Sequence, residues 1–149
     1  MSRKLSKPIV FTVLLALALV VAACAPAATT SATVVVATDA TYGKYLTDAK
    51  GMALYFYTSD TAGSGKSICT LACLAAWPAL TVAEGITPVA GTGVTGKLGT
   101  ITRDDSTLQV TINDLPLYYF AQDKAAGDTN GQGLSNIWYL SDGTGKLIK

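Results

Sequence analysis

A mainly β domain of two tandem, pseudo-symmetric repeats of short antiparallel strands, with one short helix near residues 67–77, is the fold this sequence predicts. Three observations carry the prediction. The heptads LYFYTSD (54–60) and LYYFAQD (117–123) start 63 residues apart and both end on aspartate. Short β-branched or alternating runs recur along the chain, with Gly, Asn and Asp between them as turns require. Only SICTLACLAAW (67–77) is rich in Ala and Leu, and Pro78, which cannot continue a helix, stops it.

The first segment stands apart from that fold. Arg3, Lys4 and Lys7 form a positive start, and IVFTVLLALALVVAA follows as an uninterrupted apolar run. The run has the length of a signal-peptide core and is short for a bilayer span of roughly 20 residues. It closes on Val21-Ala22-Ala23-Cys24, and small residues before a cysteine resemble the bacterial lipobox. That resemblance implies a diacylglyceryl group on Cys24 and cleavage just before it; the alternative is an ordinary signal peptide with an incidental cysteine. Multiple acyl chains make a stable anchor where one is marginal. The expected organisation is a lipoprotein signal peptide over 1–23, a lipidated Cys24 and tether over 24–33, and the β domain over 34–149. Within it, repeat one spans about 41–84 and repeat two about 94–149. A lipid-anchored, extracytoplasmic protein of the cell envelope follows, with the membrane as its first partner.

Cleavage changes the charge. The mature chain of 126 residues keeps 8 Lys and Arg against 10 Asp and Glu, and it has no basic run. A weakly acidic chain offers nothing to a nucleic-acid backbone.

Along the domain, VVVAT (34–38) is a β-branched run, and YGKYLT (42–47) leads through DAKG into MALYFYT (52–58) as a hairpin. KLGTIT (97–102) meets TLQVTI (107–112) across RDDS, and Leu108, Val110 and Ile112 alternate with polar residues as in a half-buried strand. NIWYL (136–140) and KLIK (146–149) flank SDGTG, another turn. The surroundings of the heptads also recur. Gly43-Lys44-Tyr45-Leu46 precedes the first and Gly96-Lys97-Leu98 the second. Glycine-rich segments follow both, and a tryptophan closes each unit, Trp77 and Trp138. This order suggests duplication, with an extra hairpin inserted in the second copy.

Tyr55-x-Tyr57-x-x-Asp60 and Tyr118-x-Phe120-x-x-Asp123 resemble the Tyr-x-(aromatic)-x-x-Asp motif of a bacterial family of secreted lipoproteins, known as a secreted repeat of unknown function. CTLACLAAWP is similar to its Cys-x-x-x-Cys…Trp-Pro element. The second repeat departs from it by having no cysteine pair. The resemblance implies architecture and an envelope location, and no established activity.

For Cys69 and Cys73 a local disulfide is the default outside the reducing cytosol, and i, i+4 spacing brings both sulfurs to one side of a helical turn. The rival is an envelope redox or metal-handling dithiol. Such sites usually recruit histidine, and this chain has none. The same absence removes Ser-His and Cys-His nucleophilic pairs. Asp60 and Asp123 are the carboxylate pair that a glycoside hydrolase would need; alternatively each accepts backbone N–H bonds where a strand enters a loop. The candidate binding residues are Tyr55, Tyr57, Asp60, Trp77, Tyr118, Phe120, Asp123 and Trp138. Their rings pack either as core or as a platform for sugars or peptide side chains. GSGKS (63–67) lacks the first glycine of a phosphate-binding loop, since Asp60 stands there, and DTNG (128–131) lacks the partners of a calcium loop. The expectation is a non-catalytic binding or structural module with no cofactor and no metal, whose ligand is an envelope glycan or protein.

Overall fold

A computed structural model of the chain describes residues 32–149. The expected signal peptide over 1–23, Cys24 and all but the end of the expected tether lie outside the described residues.

Strands β1 (Val34–Asp39) and β2 (Gly43–Asp48) form an antiparallel hairpin, paired from Val34–Asp48 to Asp39–Gly43. Asp39 caps its turn by accepting the Thr41 and Tyr42 N–H groups, the local bonding that favours Asp in turns. Strands β5 (Leu98–Thr102) and β6 (Leu108–Ile112) form a second hairpin. Between them lie β3 (Tyr55–Tyr57), helix α1 (Ala72–Ala76) and β4 (Thr81–Val82). After β6 come β7 (Leu115–Pro116) and β8 (Trp138–Leu140).

The heptads meet each other. Tyr55 and Tyr118 exchange both backbone bonds, Tyr55 N–H to Tyr118 carbonyl at 2.8 Å and the reverse at 3.0 Å. A pseudo-twofold axis passes between them, and the bonds flanking this pair obey it. Tyr55 pairs outward with Leu140 and Tyr118 with Ala79. Thr58 N–H donates to Ile137, and Ala121 N–H to Ala76. Leu46 N–H donates to Ser141, and Val110 N–H to Leu80. Each heptad strand therefore pairs with the tryptophan strand of the other repeat. The units are tandem in sequence and interlocked in space.

The same bonds correct the alignment of the hairpins. Leu54 N–H donates to Leu46 as Leu117 N–H donates to Val110, so β1–β2 corresponds to β5–β6. The second copy has no inserted hairpin: VVVAT already supplies its counterpart in the first. The likeness of Gly43-Lys44 to Gly96-Lys97 misleads, because the counterpart of Tyr45 is Gln109. DAKG does turn the chain back, but MALYFYT meets β2 only at its start, through Asp48 N–H to Met52, the Thr47–Ala53 bridge and the Leu54 bond. The helix is shorter than residues 67–77. Ile68 and Cys69 spend their N–H groups on the side chains of Asp60 and Ser67, and Leu71 has a φ of 46°, so helical bonding starts only beyond it.

Both faces of the heptad strands are buried. Ala53, Tyr55, Tyr118 and Phe120 enter one apolar cluster with Trp77 and Trp138, while Leu54, Phe56 and Leu117 enter a second with Val34, Leu46, Val110 and Ile112. Successive side chains on a strand point to opposite faces, so one heptad feeds two cores.

Interlocking yields an expectation. A chain of residues 34–82 carries repeat one without the strands its heptad pairs with. It should show no cooperative thermal transition by circular dichroism, whereas residues 34–149 should.

Candidate functional site

The repeated chemistry of the heptads converges on the axis. Tyr55 hydroxyl donates to Asp123 Oδ2 at 2.7 Å, and Tyr118 hydroxyl donates to Asp60 Oδ2 at 2.5 Å. Each motif's tyrosine is thus held by the other motif's aspartate. The second carboxylate oxygens serve the loops: Asp60 Oδ1 accepts Ile68 N–H, and Asp123 Oδ1 accepts the backbone and side-chain N–H of Asn130. The phenol of Tyr118 has one proton, which goes to Asp60, so Ser67 hydroxyl donates to its oxygen. At Tyr55 the matching donor is the Gly131 N–H, at 3.3 Å. A side chain at position 131 would collide with Trp77 and Tyr55, both within 2.9 Å of where its Cβ would sit.

The rings repeat the symmetry. Trp77 and Trp138 stack on one another, 3.8 Å between centroids and 4° apart in plane. Tyr57 lies on Trp138 and Phe120 on Trp77, which makes a four-ring stack with the axis at its centre. Tyr55 meets Trp77 edge-on and Tyr118 meets Trp138 edge-on, the arrangement ring quadrupoles favour. Tyr55 and Tyr118 are 0% exposed, and Asp60 and Asp123 are buried. Of the eight residues singled out in the sequence, Tyr57 alone is half-buried. The structure brings all eight together and turns them inward, where a platform for sugars has no open face.

Burial first, and the aspartate acceptor second, push the hydroxyls of Tyr55 and Tyr118 far above the ordinary tyrosine range. Tyr119, which donates to Asp48, is raised in the same sense. These phenols stay neutral donors.

Cys69 and Cys73 form a disulfide, with Cα atoms 5.3 Å apart. It closes the loop that carries the exposed Leu71, just after the exposed Ile68. Arg103, on the turn of the second hairpin, reaches across to donate to the Cys69 carbonyl and to the buried Gln109 side chain. Between that loop and that turn lies a cleft of about 500 Å³, with Lys66, Leu71, Leu74, Thr102 and Arg103 among its walls. Sequence reading missed this cleft, since nothing local links residues 66–74 to 102–105. Ser67 and Asn130 were missed as well, although each stands seven positions after its aspartate, a spacing the repeat could have given. Among the described residues, no cluster of three Cys, Asp or Glu side chains could hold a metal ion.

The family described as a secreted repeat of unknown function matches residues 36–81 and 99–140, more than half of the chain. The chain belongs to that family. No curated protein and no solved structure matches it. The two matched segments of this secreted repeat are the halves the axis relates: each starts in the first strand of a hairpin and ends two to four residues after a stacked tryptophan.

The geometry ranks substitutions. At position 60, Asn keeps an oxygen for Ile68 N–H, and the Tyr118 proton can turn to Ser67. At position 123 the Tyr55 hydroxyl has no neighbouring side-chain acceptor in reserve. Asp60→Asn should therefore be milder than Asp123→Asn, and both milder than Ala, which should cost about 1–3 kcal/mol by leaving buried donors unmatched; thermal melts of the four variants give the order. Alkali should also destabilise this fold. Raised tyrosines keep their protons in the folded state and lose them in the unfolded chain above about pH 10. Stability should be flat below that pH and fall above it by about 1.4 kcal/mol per pH unit for each such tyrosine. Urea titrations from pH 8 to 11 should show that slope, reduced in Tyr55→Phe.

Proposed function

We propose that this secreted repeat is a lipid-anchored protein of the cell envelope, a non-catalytic binding or structural module whose repeated motif is scaffold. The observation that carries the reading is the reciprocal exchange of Tyr55–Asp123 and Tyr118–Asp60. It uses the motif's polar atoms on one another, away from solvent, so partners are met on the surface. The cleft beside the Cys69–Cys73 loop suits such a meeting, with exposed Leu71 and the Lys66 ammonium on one wall and Asp104 and Asp105 on the other. An envelope glycan or protein supplies polar groups of both kinds. The disulfide closes a short loop on a buried Cys69 and belongs to the scaffold. Family membership supports an extracytoplasmic place, and the small residues before Cys24 support the anchor.

Cys24→Ser tests the anchor. The variant should leave the membrane fraction, or remain unprocessed at full length, while the unaltered protein stays with membranes as the mature form. A mature-size variant that still sediments with membranes overturns the reading.

A further inference from the structure

We propose that the cleft between the Cys69–Cys73 loop and the turn of the second hairpin takes a short zwitterionic peptide carrying an apolar side chain. The inference rests on the surface-binding reading above and names the chemistry of what is met there. It starts from the distribution of charge. Arg103 leaves the turn and crosses to the loop, where its guanidinium donates to the Cys69 carbonyl at 2.5 Å. Lys66 stands on that side too, while Asp104 and Asp105 remain on the turn. Positive charge on one wall therefore faces negative charge on the other. Gln109, 0% exposed, and the Cys69 carbonyl take two of the five N–H groups of Arg103 and fix the plane of its fork. The rest find no acceptor among the described residues, and a carboxylate is the group that matches a guanidinium in pairs. On the facing wall, Asp105 spends Oδ1 on the N–H and hydroxyl of Thr107 and keeps Oδ2 for an outside donor. Asp104 is exposed and accepts nothing among the described residues.

The apolar share of the walls comes from Leu71 and Leu74. Leu71 is 88% exposed and has a φ of 46° and a ψ of −113°, a backbone that a bulky residue rarely adopts and glycine holds at lower cost. Its side chain gains nothing from the core, so what the position offers is a contact outside the chain. Among the described residues no aromatic ring stands in these walls, and the face of a sugar has nothing to stack on. Leucines between opposed charges suit instead the side chain and the two ends of a peptide, and about 500 Å³ is the size of a small-ligand site. The first half uses the related positions differently. There Asp39 stands for Arg103, 64 positions earlier, and turns its carboxylate onto Thr41 and Tyr42 of its own turn, while Tyr45 stands for Gln109. The charges of the cleft thus belong to one half and not to the scaffold that both share.

A nuclear magnetic resonance titration of the whole protein, purified in detergent, decides the matter. Ala-Leu-Ala with both ends free should shift the amide signals of Thr70, Leu74 and Thr102 and leave those of Val36 and Ile148 in place. Amidating its carboxyl end, or acetylating its amino end, should weaken binding about tenfold or more in each case, since each removes one charged contact. Leu71→Gly should weaken it comparably while the protein melts as before, because glycine accepts the positive φ. Asp104→Asn, at an exposed position, should weaken the free peptide and leave the acetylated one unchanged, which marks the ammonium as its partner. Shifts that are equal for the free, amidated and acetylated peptides overturn the proposal. Chitotriose, an uncharged oligosaccharide, shifting those amides where the peptides do not overturns it too, and leaves the surface-binding reading standing. Amides of the cleft that respond to none of these probes overturn the proposal and remove the cleft from that reading as well.

Discussion

Everything in this fold hangs on an exchange of hydrogen bonds across a pseudo-twofold axis. A buried phenol without an acceptor, or a buried carboxylate without donors, costs far more than the bond between them returns in water. Each heptad carries one of each, and in each case the partner lies in the other heptad. Neither repeat can satisfy its own polar groups. The condition is met only when the two halves interlock, which also places the strand partners Leu140 and Ala79 beside Tyr55 and Tyr118.

The tryptophans extend the same constraint to the apolar side. Stacked at the axis, Trp77 and Trp138 each cover the other repeat's tryptophan and receive the edge of a tyrosine. The rings of the motif bury their area against one another, and the hydroxyls that would be stranded there are carried to the aspartates. Gly131 shows how closely the parts approach, since even a methyl group at that position would strike both Tyr55 and Trp77. The two halves reach this arrangement with different accessories. The first brings a disulfide and the Ser67 hydroxyl, and the second an asparagine side chain and a backbone N–H.

The symmetry is therefore informative where it fails. The linker joining the halves lies along β1 and leaves the equivalent edge of β5 uncovered among the described residues. A duplicated chain has two hairpins but only one linker between them.

Much of this was legible in the residues. The β character, the repetition and the turn chemistry are local properties of short segments, and they survive in the structure because burial and alternation act over a few residues. The disulfide followed from a spacing of four and the compartment. The alignment of the hairpins did not follow, since Gly43-Lys44 matches Gly96-Lys97 by letter while backbone bonds match Leu46 with Val110. The helix shrank because its first N–H groups found side-chain acceptors from Asp60 and Ser67, a competition that helix propensity does not contain. Sequence by itself determined that two motifs would each present a tyrosine, a second aromatic ring and an aspartate in one order. Whether those groups faced a ligand or each other was decided only by the tertiary structure, because hydrogen bonds between residues 55 and 123, and between 60 and 118, leave no trace in the local pattern of either segment.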